Sequence, residues 1–208
     1  MAWLDPLKRV AQLKKSRGGS QGSAGLAPSG QVLTEKFPVL TYGDTPIVLP
    51  EKWRFRVWGC VAEPQEWSWE QFLALGDEER TFDIHCVTRW SKLGTRWRGI
   101  PAARVIAACQ PLPEAQYVMQ HAYGGYTTNN AIASLLHPDT LFAFEYDGKP
   151  LDQAHGGPMR VIMSNRYIWK GAKWVNGLEF LPEDQPGFWE RAGYHANGDP
   201  WKEERFAD

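Results

Sequence analysis

The sequence predicts a mixed α+β domain that is rich in strands, and three observations carry that prediction. Short alternating apolar–polar runs recur between turn residues, helical spacing within the folded part is confined to two segments, and no internal repeat is present. At 208 residues the chain suits one domain with a sizeable core. No run of about 18 apolar residues occurs, so the sequence predicts no integral membrane segment.

Taken in order, the first 30 residues read as an appendage. Trp3, Leu4, Leu7, Val10 and Ala11 fall at helical spacing, and Lys8, Arg9, Lys14, Lys15 and Arg17 add positive charge. Such a basic helix offers a contact to a partner or an anionic surface, but a terminus of this kind is expected to lie frayed in solvent. Residues 18–30 (GGSQGSAGLAPSG) have the composition of a flexible linker, which leaves residues 31–208 as the folded domain.

In that domain Trp53, Phe55 and Val57 alternate with Arg54 and Arg56, the pattern of a half-buried strand. Ser68–Leu75 (SWEQFLAL) predicts a short helix with Ser68 as N-cap and Gln71 completing a capping box. Thr81–Val87 is strand-like. Ile100–Ala108 has Pro101 near its start, an Ala-rich body and apolar periodicity, which predicts a helix. Tyr117–Met119, Leu141–Tyr146, Arg160–Met163 and Trp174–Phe180 read as strands, with Asp147-Gly148 as a tight hairpin turn.

Composition excludes several function classes. With 23 Lys+Arg against 24 Asp+Glu and a net charge of −1, the chain has no general electrostatic case for nucleic acid. Three Cys cannot make a disulfide framework, and with no secretory leader the expected compartment is the cytoplasm. Cysteine spacings of 26 and 23, without CxxC or HExxH, do not suit a zinc site. Neither a GxSxG elbow, a GxGxxG turn nor a P-loop is present.

Three clusters could carry chemistry. Cys86 ends a predicted strand, where Arg89, Arg96 or Arg98 would favour its thiolate as a nucleophile or a soft metal ligand; its alternative is plain packing, which Cys60 and Cys109 suit better. The neighbouring His85 would point to the opposite face of the strand. From Asp152 to Lys173, the turn His155-Gly156-Gly157-Pro158 leads through Arg160 to Arg166, Lys170, Gly171, Ala172 and Lys173, a set of cations and amides suited to a phosphate or to solvent. His121–Asn130 (HAYGGYTTNN) is a polar, bendable loop that could line a pocket or merely turn the chain.

In this order the segments FPVLTYGDTP (37–46), DIHCVTRWSKLGTRWRGIP (83–101), GYTTNNAIASLLHPDTLFAFEYDGKPL (125–151), HGGPMRVIMSNRYIWKGAKWVNGLEF (155–180) and PGFWERAGYHANGDPWKEERF (186–206) resemble the molybdopterin-binding domain of the sulfite oxidase superfamily. The likeness is greatest to its small cytosolic members. The resemblance implies the sulfite oxidase fold and a molybdenum–molybdopterin cofactor. It makes Cys86 the metal ligand and His155, Arg160, Lys170, Gly171, Ala172 and Lys173 the cofactor contacts, with Thr41 and Tyr42 as a looser pair. Animal and plant sulfite oxidases follow the Cys with Gly-Asn-Arg, whereas this chain has Val87-Thr88-Arg89-Trp90. That is similar to the periplasmic methionine sulfoxide reductase catalytic subunit, which carries an acidic residue where Thr88 stands.

The expected function is therefore a molybdenum-dependent oxidoreductase that transfers an oxygen atom at a small sulfur-type substrate, with Arg89, Trp90, Tyr126 and Thr128 at the pocket rim. Electrons would pass through a separate, unidentified partner. The competing expectations are a metal-free Cys86 thiol enzyme and a Trp-rich binding protein. Of eleven Trp, four (Trp90, Trp97, Trp169 and Trp174) lie in the segments that would wrap the cofactor and are expected to wall it.

Overall fold

The computed structural model describes residues 5–15 and 25–207; Trp3, Leu4, Arg17 and linker residues 18–24 lie outside them. In chain order the elements are α1 (Pro6–Lys15), β1 (Val32–Leu33), β2 (Arg54–Gly59), β3 (Gln65–Ser68), α2 (Trp69–Leu73), β4 (Glu78–His85), β5 (Trp90–Pro101) and α3 (Ala102–Cys109). They continue with β6 (Tyr117–Ala122), β7 (Thr127–Ala131), α4 (Ile132–Leu135), β8 (Leu141–Tyr146), β9 (Lys149–Pro150), β10 (Arg160–Ile162), β11 (Val175–Leu181) and α5 (Phe188–Arg191). The domain is strand-rich and mixed α+β, as the sequence predicts. Among the described residues no helix is long and apolar enough to cross a membrane.

Two sheets form the body. One has the order β3-β2-β11-β6-β7, and the other runs β1-β5-β8-β10 with β4 against β5 and β9 against β8. Strand β5 organises the second sheet. Its twelve residues pair with β4 along one edge, while the other edge serves β1 at its start and β8 at its end. Phe55 of β2 and Phe142 of β8 meet between the sheets at 5.6 Å, and Phe72 of α2 packs on both. The alternation in β2 sends Phe55 and Val57 into this core and Arg54 and Arg56 to solvent. Trp53 is wholly buried in this core, and its indole N–H is satisfied by donating to the Val175 carbonyl at 2.9 Å.

The capping box at Ser68 forms as expected, with the Ser68 side chain accepting from Gln71 and the Gln71 side chain accepting from the Ser68 N–H. Two expectations change. Residues 100 and 101, read as the start of a helix, close strand β5, and α3 begins at Ala102. Residues 127–130, read as loop, form β7, whose buried polar side chains hide the alternation that marks a strand.

The tail also departs from expectation. Helix α1 is seated on the domain rather than frayed: Asp5 caps it by accepting from the Leu7 N–H, Val10 is 3% exposed, and the Lys14 ammonium donates to the Ala207 carbonyl at 2.8 Å. Its docked face is not the one that the apolar residues suggest. Pro6, Arg9, Val10 and Leu13 turn inward, while Leu7 is 60% exposed and Ala11 lies in solvent.

One buried ion pair ties the second half of the chain together. The Lys170 ammonium donates to Glu190 of α5 (2.7 Å), Asn129 of β7 (2.8 Å) and the Ala196 carbonyl (2.6 Å), and both charged groups are sealed from water. Removing one member leaves the other charged and buried, which costs about 3–5 kcal/mol. Lys170→Met is expected to lower stability by about that amount in urea unfolding. A Lys170→Met, Glu190→Gln double variant, which removes the orphaned charge, is expected to recover part of it; a single variant as stable as the parent would deny the pair this role.

Candidate functional site

Strand β4 ends at His85, and Cys86 to Arg89 make the tight turn into β5. The Cys86 N–H donates to the Trp90 carbonyl (2.9 Å) and the Cys86 carbonyl accepts from the Arg89 N–H (3.0 Å). Arg89 sits at φ 73°, the left-handed conformation that a non-glycine residue adopts at a cost. Distant residues clamp the turn: Gln31 donates to the Cys86 carbonyl and Arg205 to the Val87 carbonyl. The thiol is buried, 3.1 Å from the Thr88 hydroxyl, and faces a cavity of about 270 Å³. Burial pushes its pKa up.

The walls of this cavity are aromatic and the charge is all of one sign. Tyr42, Tyr126, Trp169, Trp174, Phe188, Trp189 and Tyr194 line it, with backbone exposed at Gly124, Gly125 and Gly171. Arg9, Arg160 and Lys173 line it as well, and among the described residues no Asp, Glu or His does. Arg160 is 1% exposed; it donates to the His155 carbonyl at 2.9 Å and its guanidinium carbon lies 5.9 Å from the centre of the Trp97 ring. Burial brings its pKa down to about 10. The Lys173 ammonium donates to the Leu40 and Ala154 carbonyls and to the Thr41 hydroxyl. Its pKa is brought down to about 7 by burial first and by neighbouring Arg160 second, with Asp152 opposing.

The structure thus brings Thr41, Tyr42, Cys86, Tyr126, Arg160, Gly171 and Lys173 to one cavity. It places the other expected site residues elsewhere. Arg89 is carried by its left-handed turn to the other side of the hairpin, where its guanidinium lies against Gly30. Trp90 packs edge-on against Phe37. The Thr128 hydroxyl donates to Glu190 (2.8 Å), and the Tyr126 hydroxyl, though its ring is a wall, donates to the Trp169 carbonyl (2.6 Å). The Lys170 ammonium is enclosed by its three protein partners and does not reach the cavity. The Ala172 N–H donates to Gln120 (2.8 Å). His155 stacks on Phe37 at 4.2 Å, with one ring nitrogen on Asp152 and the other donating to the Phe37 carbonyl (3.1 Å).

Of the four expected Trp walls, Trp169 and Trp174 line the cavity, whereas Trp97 backs Arg160 and Trp90 stands outside. Sequence reasoning missed Arg9, Trp189 and Tyr194; only the inward register of α1 and the stacking of Trp189 on Tyr194 (5.1 Å) bring them in. The glycines of the His155 turn permit close approach to protein. A Cβ on Gly156, at φ 111°, would lie 2.9 Å from the Lys173 side chain. A larger, open cleft of about 580 Å³ runs past His85 and Trp201, but it mixes Asp83, Asp139 and Asp199 with Arg166 and holds no thiol. His85 is turned away from Cys86, 2.8 Å from the Ser91 hydroxyl, and burial lowers its pKa to about 4.

Comparison with known proteins places this arrangement. Residues 42–189 match the oxidoreductase molybdopterin binding domain. The chain belongs to that family. It is 42% identical over 193 residues to the uncharacterized oxidoreductase YuiH of Bacillus subtilis, covering 92% of this chain and 96% of that one. It is 30% identical over 168 residues to the putative protein-methionine-sulfoxide reductase subunit YedZ1 of Azospira oryzae, covering 79% of this chain and 63% of that one. Among solved structures, the sulfane dehydrogenase SoxCD from Paracoccus pantotrophus shares the fold with a TM-score of 0.64 at 16% identity, over 73% of this chain and 43% of that one. The molybdopterin-binding domain described here therefore has the sulfite-oxidase-like fold and is an oxidoreductase domain.

The residues fit a polyanionic pterin. Buried Arg160 and half-buried Lys173 meet no carboxylate among the described cavity walls, the walls are broad and aromatic, and one thiol stands at the end of a clamped strand. The charge on Lys173 gives a pH signature. Its folded pKa lies below the usual lysine value of 10.5, so between about pH 7 and 10.5 the unfolded chain holds the extra proton. The penalty is fully present below pH 7 and fades as pH rises through that window. Cofactor-free protein is expected to gain several degrees in Tm, roughly, from pH 7 to 9.5, and Lys173→Met to lose that gain. An unchanged slope in the variant would assign the effect to another group.

Proposed function

We propose that this protein is a molybdenum–molybdopterin oxidoreductase that moves an oxygen atom to or from a small sulfur compound. The observation that carries the reading is the joint presence, in one cavity, of the Cys86 thiol, buried Arg160 and half-buried Lys173, with no carboxylate among the described residues that line it. A buried charge is retained when something compensates it, and here the missing partner is an anion. The similarity to YedZ1, a putative protein-methionine-sulfoxide reductase subunit, supports sulfur as the reacting element.

When bound, the cofactor supplies two-electron redox chemistry coupled to transfer of one oxygen atom. The chain's own residues do the rest. Cys86 would ligate the metal, which requires loss of its proton on binding because burial keeps the free thiol protonated. Gln31 and Arg205, by holding the carbonyls of Cys86 and Val87, fix the direction of the sulfur. Arg160 and Lys173 would hold the phosphate, Lys173 also drawing in Thr41, and the backbone at Gly171 would lie beside it. Trp169, Trp174 and Tyr126 would flank the pterin rings and exclude water.

The thiol-enzyme alternative is disfavoured, since among the described residues no His lines the cavity and burial raises the Cys86 thiol rather than lowering it. The Trp-rich binding surface is also disfavoured: among the described residues Trp201 is the one Trp with most of its surface exposed. Metal and pterin analysis after expression with molybdate in a host that makes the cofactor tests the proposal. Stoichiometric molybdenum and pterin are expected, with Cys86→Ala keeping the pterin and losing most of the metal. Wild-type protein that turns over a sulfur substrate while holding no molybdenum would end the reading.

A further inference from the structure

The open cleft of about 580 Å³ beside His85 and Trp201 shares no lining residue with the Cys86 cavity. The end of strand β4 explains why. Successive side chains of a strand point to opposite faces, so Cys86 faces the cavity while its chain neighbour His85 lines the cleft. His85 is 2% exposed; its Nδ1 is taken by the Ser91 hydroxyl, whereas its Nε2 has no hydrogen-bond partner among the described residues. A buried ring nitrogen left open toward a cleft marks a place where another group completes the contact. The Trp201 indole stands beside it, edge-on at 5.9 Å, and is 59% exposed.

The charge of the cleft is opposite to that of the cavity. Asp83, Asp139 and Asp199 line it against one cation, Arg166. Among the described residues none of the three pairs with a Lys or Arg, and Asp139 meets His137 at 4.0 Å. The Arg166 guanidinium is occupied by the Asn165 carbonyl and the Ser134 hydroxyl, both at 2.6 Å. Open carboxylates beside an exposed indole fit an ammonium or guanidinium group brought by a partner, which gains charge pairing from one and a cation–π contact from the other. We propose that this cleft docks a basic one-electron carrier protein, which exchanges electrons with the metal site across His85 and Cys86. The inference rests on the molybdenum-enzyme reading, since each oxygen atom moved requires two electrons and two protons, with water as product or source of the oxygen. The carrier takes or gives those electrons one at a time, and the cavity on the other face stays free for substrate.

Calorimetric titration of the full-length protein with cytochrome c, a basic haem carrier, at low ionic strength tests the docking. The double variant Asp83→Asn, Asp199→Asn is expected to bind about tenfold more weakly, as befits the loss of two charges. Asparagine can still accept from the Gly94 and Trp201 N–H groups that these carboxylates hold. Trp201→Ala should cost about fivefold. The double variant Glu51→Gln, Glu63→Gln, which removes the same charge from exposed positions outside the cleft, should stay within about twofold. In holoprotein reduced without excess dithionite, oxidation by subsaturating cytochrome c should slow in parallel with binding. Oxidation by ferricyanide, which needs no docking, should keep its wild-type rate. Unchanged binding in the Asp83, Asp199 variant, an equal loss in the Glu51, Glu63 variant, or wild type that binds an acidic ferredoxin as tightly would each overturn the docking site. Equal slowing of the ferricyanide reaction would overturn the electron route. Molybdenum-free wild type that still binds cytochrome c as described would strike the proposed function, and the electron route with it, while leaving the docking site standing.

Discussion

Positive charge facing a cavity whose described walls hold no carboxylate is the constraint around which this domain is built. Arg160 is almost fully enclosed, and Lys173 is pushed down to about pH 7 by burial and by Arg160 itself. Each is kept in place by neutral acceptors, the His155 carbonyl in one case and the Leu40 and Ala154 carbonyls in the other. Carbonyl dipoles soften the desolvation without cancelling the charge, so the cavity keeps an affinity for anions that an acid partner would have abolished. Lys170 shows the opposite solution three residues away. With Glu190 beside it the same kind of cation becomes a structural tie and no longer faces a ligand.

Holding such a cavity open requires rigid surroundings, and the tertiary contacts supply them from far along the chain. Gln31 and Arg205, near the two ends of the described domain, grip consecutive carbonyls of the Cys86 turn. His155 joins Asp152 to Phe37, and Phe37 in turn touches Trp90, Trp97 and Tyr146. The segment that carries Thr41 and Tyr42 is therefore fastened to the loop below Lys173 even though it has no regular structure of its own. A thiol aimed by such clamps suits ligation better than nucleophilic attack, because its direction is fixed while its proton is retained.

Much of the fold is legible locally. Arg54 to Val57 alternates cleanly because one face of β2 meets the core, and Ser68 and Gln71 cap α2 through contacts only three residues apart. The site is legible less evenly. Cys86, Arg160 and Lys173 can be singled out by residue type and resemblance, but Arg89, Trp90, Thr128 and Lys170 share those segments and point elsewhere. One left-handed residue in the turn turns Arg89 away, and a distant Glu190 captures both Thr128 and Lys170. Strand β7 escapes a pattern search for a related reason: Thr128, Asn129 and Asn130 are all buried, on both faces of the strand, and are polar groups whose partners lie on other elements.

What the sequence by itself determined is the class of structure and the chemistry at hand: alternating strands, a capped helix, a strand-end cysteine and a basic stretch between Arg160 and Lys173. These follow from short-range rules, because pleat, capping and residue chemistry act over a few positions. The tertiary structure alone decided which cations remain without an acid, which tryptophans become walls, and that α1 turns Arg9 inward and Leu7 out. Those outcomes depend on groups brought together from separate segments, 20 residues apart for Lys170 and Glu190 and 133 for Lys173 and Leu40, where the energy of a buried charge is set by its neighbours in space and not by its neighbours in the chain.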